Sequence, residues 1–257
     1  MEFDRAAALL EGIPYTSPEK GKVFYDLVLE RRPRHILELG FAHGVSTCYF
    51  AAAAQELGGC TVTAVDLEAS RAFEPSLETL LARLGLGGIV RVERELSSYT
   101  WFLKKEIAAQ TRGHVCAPKY DLVFIDGPKD WTVDGCAFFL ADKLLVNGGT
   151  VMFDDYSWSY ARDEATRGKR HERGYVFAAM SEAERNEPQI KAVFDLLVMQ
   201  HPSYGRFVLI DDQLAIAQKT FDPGPRELLI ETRVSFKRRL VDLARRALTE
   251  GRARLGR

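Results

Sequence analysis

Three aspartates are the residues of this chain best spaced to act together on a ligand. Asp126 follows an apolar run that begins at Tyr120, and Asp154 and Asp155 follow the run 150–153. If both runs are parallel strands, the three carboxylates emerge at one sheet edge and repel one another unless protonated or neutralised by a cation. Oxygen ligands favour Mg²⁺, Mn²⁺ or Ca²⁺ over zinc, so the spacing predicts a divalent-cation site. The alternative is that two of the acids only cap helices or loops.

A glycine-containing turn is the second candidate site. It runs from Glu38 to Gly44, between an apolar run and an alanine-rich stretch. Such a turn lets a ligand approach the backbone and presents free amide hydrogens at the start of a helix. The dinucleotide-binding fingerprint needs glycine where this chain has Ala42 and Val45, which argues against NAD. Asp66 ends the next β-branched run and offers a carboxylate for a sugar diol, unless it merely caps the following helix.

The elements that must position these residues alternate along the chain. The predicted strands are 35–39, 61–66, 89–93, 120–126 and 150–153, and the predicted helices are 45–57, 72–84, 98–110, 132–145 and 189–200. A final hairpin is predicted from residues 206–210 and 214–217. This order predicts an α/β fold with a Rossmann-like, seven-stranded, mostly parallel sheet, helices on both faces and a C-terminal antiparallel hairpin.

Terminal segments and one long loop complete the predicted organisation. Residues 1–32 are predicted to be a helical segment and residues 33–219 the domain that contains the sheet. Residues 156–188 are polar and weakly periodic, which predicts a lid or substrate loop. Residues 220–257 are predicted to form a basic amphipathic helix, since from Arg226 onward there are ten Lys or Arg and four acids. That helix could pack on its own domain or a second subunit, or bind a membrane surface or nucleic acid.

Composition limits the classes of partner. The formal net charge is -1 and 46% of the residues are hydrophobic, so the chain as a whole has no attraction to nucleic acid or anionic membrane. No apolar run approaches the ~20 residues of a membrane-spanning helix. We therefore expect no nucleic-acid partner, no membrane span and, by default, a cytoplasmic location. A homodimer is left open.

The turn resembles the first motif of the class I S-adenosylmethionine (SAM)-dependent methyltransferases, in which an acidic residue is followed by two glycines at set spacing. Glu38, Gly40 and Gly44 match that pattern. The resemblance implies that Glu38 faces the methionine ammonium, that the turn lines the methionine portion, and that Asp66 accepts hydrogen bonds from the ribose hydroxyls. The cofactor-binding residues implied by the resemblance are Glu38, Gly40, Phe41, Ala42, Gly44, Ser46, Asp66, Glu95, Ser97 and Asp126. Glu95 and Ser97 would lie near the adenine, although the family's usual residues there are absent.

Residues 125–131 and 153–158 resemble the two metal motifs of the cation-dependent small-molecule O-methyltransferases, typified by catechol and caffeoyl-CoA O-methyltransferases. The chain matches at Asp126, Lys129 and Asp154, and departs at Asp155, where Asn is usual. An Asp-Asp pair occurs in a related bacterial branch that includes enzymes acting on sugars of natural products.

The resemblance implies methyl transfer to a hydroxyl of a small aryl or sugar acceptor. Mg²⁺, or Mn²⁺ or Ca²⁺, would be held by Asp126, Asp154 and Asp155, and Lys129 would be the catalytic base. A lysine is a poor base at neutral pH unless its pKa is lowered. Two other interpretations stay open. One is a metal-independent methyltransferase with His43 or His171 as base, and the other is a non-catalytic SAM-binding or scaffold protein.

Overall fold

The computed structural model describes residues 1–167 and 180–224, which form a central sheet with flanking helices. The strands are β1 His35–Leu39, β2 Thr61–Leu67, β3 Val90–Glu95, β4 Thr111–Arg112, β5 Val115–Cys116, β6 Tyr120–Ile125, β7 Leu145–Phe153, β8 Tyr204–Ile210 and β9 Leu214–Lys219. The α-helices are α1 Phe3–Leu10, α2 Pro18–Arg31, α3 Val45–Leu57, α4 Leu77–Leu84, α5 Tyr99–Gln110, α6 Trp131–Asp142, α7 Tyr160–Arg167, α8 Glu182–Asn186 and α9 Gln189–Ala192. A 3₁₀ turn, Glu68–Ala72, follows β2, and a π-helical segment, Val193–Val198, continues α9.

Seven strands form the main sheet in the order β3-β2-β1-β6-β7-β9-β8. The first five strands in this order, β3, β2, β1, β6 and β7, pair in parallel. Strand β9 runs antiparallel to β7 and to β8. The predicted Rossmann-like sheet with a C-terminal antiparallel hairpin is confirmed. The strand order reverses between β1 and β6, which makes their carboxyl ends the topological switch point where α/β sheets bind ligands.

Alternate residues of the central strands feed two separate cores, one on each face of the sheet. On one face Ile36 and Phe124 pack with the helices α1 to α4, through side chains such as Phe24 and Phe50. On the other face, the alternate strand residues such as Leu37 and Val123 pack with α5, α6 and the π-helical segment. Burial on both faces explains why these strands read as nearly continuous apolar runs.

Several element boundaries differ from the prediction. Helix α4 begins at Leu77 instead of residue 72, because a 3₁₀ turn and Pro75 precede it and Ser76 caps its first turn. Strand β7 begins at Leu145, so the predicted turn at 147–149 lies within an irregular first half of the strand. The short β4–β5 hairpin was not predicted.

The prediction of a loop over 156–188 is wrong where the structure describes that stretch, since it contains α7 and α8. Helix α8 has a capping box in which Ser181 and Glu184 exchange side-chain and backbone hydrogen bonds, a pattern legible in the sequence. His171, most of the basic stretch 167–173 and the predicted C-terminal helix after residue 224 lie outside the described residues. Among the described helices, none has the length and apolar character needed to span a bilayer.

Gly40 sets the spacing between β1 and β6 at the switch point. Its φ of +93° is in the region that favours glycine, and a Cβ there would overlap the backbone carbonyl oxygen of Asp126. The residue therefore meets both requirements for glycine, the backbone angle and the close approach.

We expect Gly40→Ala to lower the free energy of unfolding by roughly 2 kcal/mol, because the left-handed angle and the overlap with Asp126 both add strain. Urea denaturation measures the change. Gly87→Ala is the matched control, since a Cβ at Gly87 has no atom within 4 Å. Equal stabilities of the two variants would contradict the role given to Gly40.

Candidate active site

The candidate residues lie at or just beyond the ends of adjacent parallel strands. Backbone hydrogen bonds between neighbouring strands continue past the strand ends and hold these residues in place. Three hydrogen bonds do this: Gly40 N to Val65 O at 2.8 Å, Asp126 N to Leu39 O at 2.8 Å, and Asp154 N to Ile125 O at 3.1 Å. The turn after β1, the loop after β6 and the loop after β7 are thereby fixed side by side.

Asp66, at the end of β2, holds the glycine turn. Its Oδ2 accepts hydrogen bonds from the backbone amides of Phe41 at 2.9 Å and Ala42 at 2.8 Å, and its Oδ1 accepts from Leu67 N at 2.6 Å. Gly44, with φ +90°, starts α3, and a Cβ there would overlap Leu77. The turn is therefore shaped from both sides, by a carboxylate and by the packing of α4.

Glu38 lies beneath the turn and is fully buried. Its carboxylate accepts hydrogen bonds from Ser46 Oγ at 2.5 Å and from the hydroxyl of Thr47, both in the first turn of α3. Burial raises the pKa of Glu38 to about 7, against the lowering effect of the two hydroxyls, and the charge of Asp66 adds to the rise. The carboxylate thus ties β1 to α3 beneath the backbone that would meet a ligand.

The two residues predicted near an adenine differ in setting. Glu95 ends β3, is buried and pairs with Lys105, whereas Ser97 is exposed in the loop that follows. Arg94, which the sequence analysis did not single out, lies over the Phe41 ring at 5.3 Å and pairs with Glu78. This arginine links β3 to the glycine turn and to α4.

The predicted acidic cluster forms. Asp126, Asp154 and Asp155 each have a carboxylate oxygen within 4.8 Å of the others. The side chain of Asp154 is only 7% exposed, while those of Asp126 and Asp155 are 22% and 27% exposed. Asp155 has a left-handed φ of +58° and donates its amide to Asp154 Oδ1 at 2.8 Å. The cluster is buried on one side and open on the other.

Lys129 folds back over this cluster. Its Nζ pairs with Asp126 Oδ1 and lies 3.3 Å from Asp155 Oδ2, and its own φ is +63°. Burial lowers the pKa of Lys129, but the charges of Asp126, Asp155 and Asp154 together outweigh burial and hold it above its usual range. The lysine is therefore an ammonium ion in this state.

Lys20 is a second lysine at the acidic cluster, and sequence reasoning missed it. It is in the first turn of α2, where Ser17 caps the helix and Pro18 is the first helical residue. Its Nζ lies 2.5 Å from Asp154 Oδ1 and 2.6 Å from Asp154 Oδ2. The Ser-Pro start of α2 was legible in the sequence, but nothing local indicates a partner 134 residues away.

A buried pair supports the loop that carries Lys129. The Tyr99 hydroxyl donates to Asp134, whose other oxygen accepts from the Asp130 amide at 2.8 Å. Gly127 runs so close above this pair that a Cβ would overlap the Tyr99 hydroxyl. Burial raises the pKa of Asp134 to about 6, although the Tyr99 hydrogen bond opposes the rise. The loop after β6 is thus held from below as well as by the ladder.

Several aromatic residues lie near the cluster and the turn in the sequence. Tyr156 and Tyr160 are buried, and the Tyr160 hydroxyl donates to Pro128 O at 2.6 Å, while Trp131 is 41% exposed. His43, the alternative base, is buried beside Phe73 with a ring separation of 4.7 Å, and its Nδ1 lies 3.0 Å from the Pro75 carbonyl oxygen. That packing favours a structural role for His43 over one as base.

Comparison with known proteins identifies a similar domain and similar folds. Residues 37–156 match a family model described as a methyltransferase domain. No curated protein sequence matches the chain. Similar solved structures include the O-methyltransferase TomG from Streptomyces achromogenes, involved in tomaymycin synthesis and solved with SAM; it is 19% identical over 85% of this chain and 89% of that one, with a TM-score of 0.56.

An O-methyltransferase from Bacillus cereus, in complex with SAH, is 21% identical, covering 84% of this chain and 87% of its own, with a TM-score of 0.56. The SAH-bound methyltransferase PaMTH1 from Podospora anserina is 17% identical, covers 84% and 86%, and has the same TM-score of 0.56. At these identities the likeness establishes a shared fold.

We expect the stability of the protein to fall as pH rises through about 7, because of Glu38. Its pKa rises from 4.5 to about 7 on folding, so the folded state holds this proton more tightly than the unfolded state does. The contribution is complete below about 4.5 and is lost as pH passes about 7.

Glu38→Gln mimics the protonated side chain and should flatten this dependence by on the order of 2 kcal/mol between pH 5 and 8. Urea unfolding at each pH measures the difference. The exposed Glu11→Gln is the control, and a wild-type slope in the Glu38 variant would refute the assignment.

Proposed function

We propose that this chain, which carries a methyltransferase domain over residues 37–156, transfers a methyl group from SAM to a hydroxyl of a small aryl or sugar acceptor, with the help of a divalent cation. The observation that carries the proposal is that four strand ends bring the glycine turn, Asp66, Lys129 and the acidic cluster to one edge of the sheet. Solved structures of the same fold include O-methyltransferases bound to SAM or SAH.

The cofactor would occupy the glycine turn. When bound, SAM supplies a methyl group on a positively charged sulfur, which an oxygen nucleophile can displace. We propose that Gly40 to Gly44 line its methionine portion, with Glu38 and Ser46 beneath, and that Asp66 Oδ1 meets the ribose while Oδ2 keeps the turn in shape. Glu95 and Ser97 are the proposed neighbours of the adenine.

The acidic cluster fits a divalent cation. Oxygens on opposite sides of Mg²⁺, Mn²⁺ or Ca²⁺ are separated by about 4 to 5 Å, twice a metal–oxygen bond, and the carboxylate oxygens here lie within 4.8 Å of one another. Asp126, Asp154 and Asp155 would hold the ion. A bound divalent cation supplies positive charge that makes a nearby hydroxyl more acidic.

Lys129 is the proposed proton acceptor. It would first lose its ammonium proton to solvent, once a divalent cation held by the three carboxylates had offset the negative charges that keep it protonated, and the neutral amine would then take the proton of the hydroxyl. Its Nζ lies at the acidic cluster, next to the open side formed by Asp126 and Asp155, where an acceptor hydroxyl can approach. The left-handed backbone at Lys129 turns the side chain back toward the strand end, and the Tyr99–Asp134 pair keeps its loop in place. Strained backbone of this kind persists where the surrounding structure holds it, often at active sites.

We expect methyl transfer to require a divalent cation. SAH binding is measured by calorimetry, and methyl transfer from labelled SAM is measured over panels of catechols and hydroxylated sugars with Mg²⁺, with Mn²⁺ and with EDTA. EDTA should abolish transfer while SAH affinity changes less than about threefold, because the turn and the acids are separate groups. Full activity in EDTA would contradict the cation dependence, and absence of SAH binding would contradict the cofactor.

Lys129→Ala should lower turnover by at least about 100-fold, the usual contribution of a positioned acid–base group, while SAH affinity stays nearly unchanged. The exposed Lys104→Ala is the matched control and should retain activity. Retained turnover in the Lys129 variant would remove this residue from the mechanism.

A further inference from the structure

The ion pair between Lys20 and Asp154 joins α2 to the most buried acid of the proposed cation site. The ammonium nitrogen lies 2.5 and 2.6 Å from the two carboxylate oxygens of Asp154. Asp154 also accepts the amide of Asp155, so both of its oxygens have a partner without an added ion. Any cation that binds Asp154 competes with this lysine.

The two lysines of the site are placed differently. Lys129 bridges Asp126 and Asp155 from a loop fixed at both ends, with a side chain that is 16% exposed. Lys20 contacts Asp154 from α2, and its side chain is 25% exposed. A lysine head group on a flexible stem of four carbons can leave a carboxylate for solvent by rotation about its own side-chain bonds. Of these two lysines, Lys20 is therefore the one that can leave its carboxylate partner.

We propose that Lys20 is a tethered competitor for the divalent cation at Asp154. In the cation-free protein it neutralises the buried carboxylate, whose burial unpaired would be costly. When the cation binds, Lys20 moves off Asp154 into solvent, because the ammonium group and the cation repel each other and bind the same carboxylate oxygens. This inference rests on the proposed function, since it concerns the same cation site.

Displacement of Lys20 also affects α2. The ion pair ties the first turn of that helix to the end of β7, in addition to the cap supplied by Ser17. Release of the lysine removes one of these two restraints. Cation binding should therefore loosen the start of α2, and hence the N-terminal segment that precedes it.

The test uses Mn²⁺ alone, titrated into the full chain by calorimetry and followed by the electron paramagnetic resonance of free Mn²⁺. Lys20→Gln should bind Mn²⁺ roughly five- to tenfold more tightly than wild type, as expected for loss of a partly buried competing charge. Lys22→Gln is the matched control, because Lys22 is on the same helix and pairs with Asp26. Lys20→Arg keeps the competing charge and should bind no more tightly than wild type, which guards against a folding defect in the Gln variant.

Hydrogen exchange separates displacement from simple repulsion at a distance. In wild type, Mn²⁺ should speed exchange of the amides from Gly21 to Phe24, whereas in Lys20→Gln these amides should exchange at the same rate with and without Mn²⁺. Equal Mn²⁺ affinities of wild type and Lys20→Gln, or unchanged exchange in wild type, would overturn the competition while leaving the cation site itself intact. Absence of Mn²⁺ binding in every variant would overturn both the competition and the proposed cation dependence.

Discussion

The close approach of the turn after β1 to the end of β6 is the contact on which the site depends. Gly40 faces the carbonyl oxygen of Asp126 with no space for a side chain, and the amide of Asp126 is bonded to Leu39 O. A one-residue slip between these strands would turn every side chain to the opposite face and carry Asp126 away from the turn. Since β7 is registered on β6 in the same way, this contact also sets where Asp154 lies.

Several acidic side chains are buried at and near the strand ends, and each of them is hydrogen-bonded or paired with a lysine. Glu38 is buried beneath two hydroxyls, Asp134 beneath the Tyr99 hydroxyl and a backbone amide, and Asp154 beneath Lys20. Unpaired buried charges are among the most destabilising features a fold can contain, so each of these pairings lowers the cost of burying an acid.

Local sequence patterns were sufficient to predict the sheet and to predict that the candidate residues meet at one of its edges. The apolar runs before Gly40, Asp66, Asp126 and Asp154 are strands because they are buried on both faces, and parallel strands bring their carboxyl ends together whatever lies between them. Predictions failed where tertiary packing decides the outcome. The early start of β7 depends on its pairing with β6. The role of Arg94 depends on its contact with the ring of Phe41, a residue in the turn after β1. Lys20 could not be found because its partner is 134 residues distant.

The departure from the usual Asp-Asn pair and the presence of Lys20 are two parts of one charge balance. In the motif that the chain resembles, two carboxylates face one lysine, which leaves a single negative charge. Here Asp155 adds a third carboxylate and Lys20 adds a second ammonium, so the described cluster again has one uncompensated negative charge. Asp155 strengthens the attraction for a cation. Lys20 opposes that attraction, and its side chain is the one proposed to leave Asp154 when a cation binds. Under the proposed function, such a site would bind its ion less tightly than three carboxylates alone would, and Lys20 would couple that binding to α2.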